Sequence, residues 1–107
     1  MKRGSLVTVA LQGDAGKPRP ALVIQSDMFD EHPSVVVLPV TSDLREAPLF
    51  RITVEPSKTN GLQVPSQIMV DKPQSISRAK VGAAFGKVDQ STLVAVNRSL
   101  AFFLGIA

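Results

Sequence analysis

Arg19 stands between two prolines in the run Lys17-Pro18-Arg19-Pro20, directly ahead of the apolar stretch Ala21-Leu22-Val23-Ile24. Each proline fixes its own φ and pushes the residue before it towards extended backbone, so Lys17 and Arg19 are both kept out of the helical region. A guanidinium held at the mouth of a rigid strand suits a fixed anion, phosphate above all, because its planar fork donates two parallel hydrogen bonds. The plainer role for such a residue is a solvated arginine at a strand start. Histidine occurs once, at His32, and cysteine not at all. An imidazole has the intrinsic pKa for proton transfer, but His32 lies in a polar connection distant from Arg19 in sequence, where a surface role is the simpler one. One histidine excludes two-histidine ribonuclease chemistry and a His-pair metal site. The lack of cysteine excludes a disulfide framework and a thiolate metal centre.

A chain of 107 residues makes one domain, 1–107, with a modest core. Twelve Lys and Arg against nine Asp and Glu give a net charge of +3, a mild lean towards polyanions. The basic residues are scattered, so any positive patch must be assembled by folding. Lys2-Arg3 ahead of Leu6 to Leu11 faintly resembles a signal peptide, but Thr8 breaks the apolar run and no small-residue cleavage site follows. No segment approaches the roughly 20 apolar residues of a membrane span, and the expected location is the cytoplasm. Five Phe with no Trp or Tyr argue against a stacking platform for several bases.

The elements that must position Arg19 are mostly strands. Gly4 to Leu11, Ala21 to Gln25, Ser34 to Val40, Leu49 to Val54, Ser66 to Asp71 and Val81 to Val88 read as strands, with Gln74 to Arg78 short and extended. Met28 to Pro33 has room for one short helical turn. Pro39 near the end of the third strand implies a bulge or an edge position, and Gly82 and Gly86 imply tight bending at a barrel corner. Asp89 is a good N-cap for the one helix, whose Leu93, Val96, Leu100, Phe103 and Leu104 form an apolar stripe. Gly105 is placed to stop it. Short strands at regular spacing and one terminal helix predict a mainly β fold, a small closed barrel-like domain.

Laid out in this order, the chain resembles the MazF/PemK family of bacterial toxin ribonucleases. The matching pieces are Lys2-Arg3-Gly4, the Lys17-Pro18-Arg19-Pro20-Ala21-Leu22-Val23 segment, Leu38-Pro39-Val40-Thr41-Ser42, Ile52-Thr53-Val54 with Gly61-Leu62, and Pro65-Ser66 with Asp71, followed by the Leu-rich helix. The resemblance spans nearly the full chain. It implies an SH3-like β-barrel, a homodimer, and metal-independent, cofactor-free cleavage of single-stranded RNA at short sequences, by attack of the 2′-hydroxyl, to inhibit growth. It also implies neutralisation by a co-encoded antitoxin, for which an acidic disordered tail is the simplest match to a positive groove. Arg19 corresponds to the family's active-site arginine and Thr41 to its active-site threonine. Asp14 falls where some members carry an acidic loop residue, and Asp71 matches the acidic member of an Arg-x-Asp pair found in others. Two positions depart from the pattern: Met69 stands where that pair has its arginine, and Pro18 where some members have histidine.

Metal-free cleavage needs a base for the 2′-hydroxyl, charge stabilisation on the phosphorane and a proton for the leaving 5′-oxygen. Arg19 fits charge stabilisation, because a free guanidinium stays protonated. Thr41 offers one hydroxyl donor, and Asp14 or Asp71 is a candidate base. Ser42 and Ser66 are candidate phosphate contacts, with turn-capping as their plainer role. Lys17, Arg51 and Lys72 are candidates to line the RNA path, or else belong to a solvated face. Two other classes share such a barrel: a CcdB-like topoisomerase poison, which typically carries a Trp-containing helix tip that this chain lacks, and a non-catalytic binding or regulatory module.

Overall fold

The computed structural model describes residues 1–10 and 17–106. Its strands are β1 (Ser5–Ala10), β2 (Pro18–Val23), β3 (Ser34–Thr41), β4 (Arg51–Val54), β5 (Ser66–Met69), β6 (Gln74–Ser77) and β7 (Val81–Lys87), followed by helix α1 (Gln90–Leu104). Short 3₁₀ turns occupy Asp27–Phe29 and Arg78–Lys80. The strands form one antiparallel sheet in the order β4-β5-β3-β2-β1-β7, with β6 also paired to β3.

β3 is the hub. Its first half pairs with β6 through Ser34 to Val37, its last residues pair with β5 through Val40 and Thr41, and its other edge pairs with β2. Such a strand must be apolar on both sides, which explains the run Val35-Val36-Val37-Leu38. Leu6, Leu22, Leu38, Val40 and Ile68 pack on one face beneath Val96 of α1. Val7, Val9, Ala21, Val23, Val35 and Val37 pack on the other face with Ile76 of β6. Val96 is fully buried, a contribution on the order of 1.5–3 kcal/mol. Arg3 ties the start of the chain to these layers. Its backbone N–H donates to Asp27 Oδ1 at 2.6 Å, its Nε to the Ile24 carbonyl at 2.7 Å, and its guanidinium to Asn97 Oδ1 of α1 at 2.7 Å.

Several boundaries differ from the sequence expectation. β2 begins at Pro18, not Ala21, so Arg19 lies inside the strand opposite Val9. Residues 18–20 have a ladder on the β1 side only, since β3 joins at Ala21, and prolines without an N–H fit such a one-sided stretch. Pro39 is neither bulged nor on an edge strand. It is buried, in register with Ala21, at the point where the other partner of β3 changes from β6 to β5 and no ladder bond is needed. β4 starts only at Arg51 and β5 ends at Met69, with Val70 and Asp71 in a turn. Helix α1 follows expectation: Asp89 caps it through the Thr92 N–H at 2.8 Å, and Gly105 ends it at φ 75°. Phe103 and Leu104, expected on the buried stripe, remain 47% and 51% exposed.

Among the described residues the sheet does not close by a ladder between β4 and β7. The loop after β4 spans that seam instead. Asn60 is buried and holds the loop: its Oδ1 accepts from the Ser57 and Leu62 N–H groups at 2.9 Å each, and its Nδ2 donates to the Glu55 carbonyl at 2.9 Å. The Lys87 N–H of β7 then donates to Thr59 O at 3.0 Å. Gly86 is a glycine because the Asn60 backbone lies where its Cβ would be, and Gly82 likewise faces Thr8. These two glycines therefore serve close approach, while the bending of β7 shows as register shifts against β1 at Leu6/Val7 and Val7/Val9. The fold is mainly β, barrel-like, with one C-terminal helix.

Candidate functional site

The register of β2 and β3 brings together two residues that are distant in sequence. The pairs Val23↔Val37, Leu22↔Leu38 and Ala21↔Pro39 step down one strand and up the other. Continued past Ala21, the same register sets Arg19 opposite Thr41 on one face. Both line a cavity of about 670 Å³. Arg19 is exposed at its wall. Thr41 Oγ1 accepts the Asp43 N–H at 3.0 Å, which leaves its own proton to donate.

The turn after Thr41 is pinned from beneath. Gln67 Oε1 accepts the Arg45 N–H at 2.9 Å, and its Nε2 donates to Arg45 O at 2.9 Å and to Thr53 Oγ1 at 3.2 Å. Arg45 closes on Asp43 Oδ2 at 3.0 Å. Ser42, carried on this turn, is exposed and lines the cavity. Ser66 also reaches the wall, but it is 4% exposed and its hydroxyl donates to Val64 O at 2.9 Å. Lys72 lines the wall from the β5–β6 turn, its Nζ 3.9 Å from Asp71 Oδ2. Arg19 and Lys72 are thus the cations of the wall, and among the described residues it carries no carboxylate. Such a surface is suited to an anion, and phosphate fits its mix of guanidinium, ammonium and hydroxyl donors.

Not every residue singled out from the sequence lies there. Lys17 is exposed but outside the cavity lining, as are Arg51 and Asp71. Asp14 lies outside the described residues. Arg51, expected along an open path, is instead tucked in: its Nε is 3.8 Å from Asp71 Oδ1, with the two side chains 11% and 18% exposed. Arg51 pairs across the ladder with Met69. The guanidinium that the Met69 position lacks is therefore delivered to Asp71 from the neighbouring strand. His32 stays at the surface near Ser34, its carbonyl accepting from Arg78 Nε at 2.6 Å.

The structure adds wall residues that sequence reading passed over: Thr8, Gln63, Gln74, Met69 and Phe85. Gln63 follows the turn formers Asn60-Gly61, and Gln74 opens a four-residue strand. Neither position carries a pattern that marks a site. The glycine at 86 was the one available signal, since it permits the Asn60 loop to seat beside Phe85. Among the described residues no group of three or more His, Cys, Asp or Glu side chains comes together as a metal site. No helix among them is long and apolar enough to cross a membrane.

Comparison with known proteins agrees with this fold. A chain from Mycolicibacterium smegmatis (strain ATCC 700084 / mc(2)155), named as a probable endoribonuclease MazF, is 42% identical over 108 residues, covering 100% of this chain and 99% of that one. The Mycobacterium tuberculosis toxin MazF-mt6 superposes with a TM-score of 0.82 at 23% identity, over 96% of this chain and 98% of its own. A mycobacterial endoribonuclease solved with its cognate antitoxin gives 0.83 at 21% identity, over 100% of this chain and 97% of that chain. The family model for the PemK-like, MazF-like toxin of type II toxin–antitoxin systems matches residues 2–104, so the barrel, the Arg19 strand and the Thr41 turn sit in a chain that belongs to that family.

Proposed function

We propose that the chain is an endoribonuclease toxin that cleaves single-stranded RNA at short sequences, without a metal ion, and so arrests growth from within the cytoplasm. The observation that carries this reading is the convergence of Arg19 and Thr41 on one cation-lined cavity free of carboxylates among its described residues. The family membership and the name of the 42%-identical relative support it. In the reaction the 2′-oxygen attacks phosphorus and the bond to the 5′-oxygen breaks, leaving a 2′,3′-cyclic phosphate and a 5′-hydroxyl. One proton leaves the 2′-hydroxyl and one reaches the departing oxygen. Arg19 stabilises the charge that grows on the phosphorane, and Thr41 donates its free proton to a phosphate oxygen. Ser42 and Lys72 contact the flanking backbone, with Ser66 supporting the wall. Asp71, set between Arg51 and Lys72, serves to orient Lys72.

The same reading includes a homodimer and a cognate antitoxin. Phe102, Phe103 and Leu104 are 64%, 47% and 51% exposed at the end of α1, an apolar surface suited to a two-fold contact. An acidic, disordered antitoxin segment that folds on the cavity would compete with RNA. Its binding would weaken with salt less steeply than RNA binding, which also releases condensed counterions.

The test is incubation of a defined RNA in EDTA, followed by analysis of the ends. Cyclic phosphate and 5′-hydroxyl ends are expected from wild type. Arg19→Ala should abolish cleavage with the fold intact, and Arg19→Lys should restore little, because a point charge cannot reproduce the fork. Thr41→Val should lose on the order of a hundredfold in rate. Wild-type activity in Arg19→Ala would overturn the site assignment, and DNA breakage dependent on a topoisomerase, with RNA left intact, would overturn the activity.

A further inference from the structure

The side-chain amides of this fold divide into two kinds. Gln25, Asn60 and Gln67 are committed to the backbone, Gln25 through the Phe29 and Ser34 carbonyls and the Val36 N–H. Asn97 is committed to Arg3. Among the described residues the side chains of Gln63, Gln74 and Gln90 make no hydrogen bond to the protein, and none has a polar atom buried without a partner; Gln90 is the exposed first residue of α1, outside the cavity. Gln63 and Gln74 line the cavity that holds Arg19 and Thr41. Three elements converge there: the loop after Gly61 brings Gln63, β6 brings Gln74 and β7 brings Phe85. Phe85 is 39% exposed at the wall, and its ring lies against Gly61, where a β-carbon would stand 3.1 Å from Cδ1. An aromatic ring beside two uncommitted amides and the Arg19 guanidinium offers the kinds of contact that one nucleotide needs.

We propose that Gln63, Gln74 and Phe85 form a subsite for one unpaired nucleobase beside the phosphate held at Arg19 and Thr41, and that the two amides decide which base enters. The proposal rests on the RNA-cleaving reading above and extends it to the choice of substrate. Phe85 supplies a face for stacking, which tolerates any base. An amide presents a donor and an acceptor side by side, the complement of a base edge that offers an acceptor next to a donor. Bases in single strands display such edges because they are not paired. Among the described residues one aromatic ring lines the wall, so the selected position is a single nucleotide.

A randomised single-stranded RNA pool is cleaved by wild type, Gln63→Leu, Gln74→Leu and Gln74→Glu, and the new ends are sequenced. Rates are then measured on the preferred oligonucleotide and its three single-base alternatives at the selected position. Neither glutamine side chain has a hydrogen-bond partner among the described residues, so melting temperatures should be unchanged. The leucine variants should lose roughly 5- to 150-fold of discrimination at that one position, while the other positions keep their preference. Gln74→Glu replaces a donor by an acceptor and should move the preference towards guanine, whose N1–H and amino group donate together, or towards adenine or cytosine, whose amino groups donate, and away from uracil. Unaltered preference in all three variants overturns the subsite, as does a uniform loss of rate on every sequence. Wild type that cleaves with no preference at any position overturns the subsite alone. Wild type that cleaves no RNA overturns the parent reading and the subsite with it.

Discussion

Replacing Asp71 by Asn removes the carboxylate paired with Arg51. Arg51 Nε and Asp71 Oδ1 are 3.8 Å apart, and the side chains are 11% and 18% exposed. Both atoms are shut off from solvent and neither has a hydrogen bond. At an effective dielectric constant of about 20, charges at this distance attract by about 4 kcal/mol. Truncating one partner of a buried pair costs about 3–5 kcal/mol, because the other charge stays buried. The missing hydrogen bond places this pair at the lower end of that range, about 3 kcal/mol. Lys72, 3.9 Å from Asp71 Oδ2 and half exposed, shares the carboxylate but can turn to water when it is lost. The double replacement Arg51→Met with Asp71→Leu removes the buried charge altogether and should cost less than either single change. Denaturant unfolding of wild type, Arg51→Met, Asp71→Leu and the double variant at a fixed protomer concentration gives the four stabilities of the cycle. A coupling energy above about 1.5 kcal/mol is expected from the cycle. A loss below about 0.5 kcal/mol in Asp71→Asn, or no coupling, would refute the claim that the pair is an energetic unit.

Gly86→Ala should destabilise by about 2 kcal/mol or more, because its β-carbon would overlap the Asn60 carbonyl. Chemical denaturation measures this, and cleavage should fall further than stability because the Gln63 wall moves with the loop. Asp89 should contribute a pH-dependent cap to α1. The Thr92 hydroxyl, the Thr92 N–H and the Ser91 hydroxyl hold its carboxyl below the usual carboxylate range. A lowered folded-state pKa gives stability that is complete above the unfolded value and lost as pH falls through the folded one. Melting temperatures across the acidic range should show this component in wild type and its loss in Asp89→Asn, which keeps an acceptor but does not titrate. For the helix end, Phe103→Asp should halve the mass seen by light scattering at micromolar concentration, and a monomeric wild type would count against the dimer.

Residue pattern alone made much of the fold legible. Both-sided apolar runs marked the central strands, because a strand between two packed layers can hold few polar groups. Asp89, the period of α1 and Gly105 marked the helix, because caps and stripes are local. The prolines around Arg19 marked an extended segment for the same reason. Long-range register was not legible. Nothing in the local sequence sets Arg19 opposite Thr41; the β2–β3 register, continued past Ala21, does. Nor could Met69 reveal that Arg51 would reach Asp71 from β4, since cross-strand neighbours are far apart in the chain. Gln63 and Gln74 became candidates only once the fold showed which amides were already bonded, and that depends on every neighbour the sheet assembles. Capping, turn chemistry and hydrophobic period act within a few residues and can be read from the chain. A cavity wall drawn from β1, β2, β3, β5, β6, β7 and three loops is decided by how the sheet curls and where one backbone leaves room, at Gly86, for another.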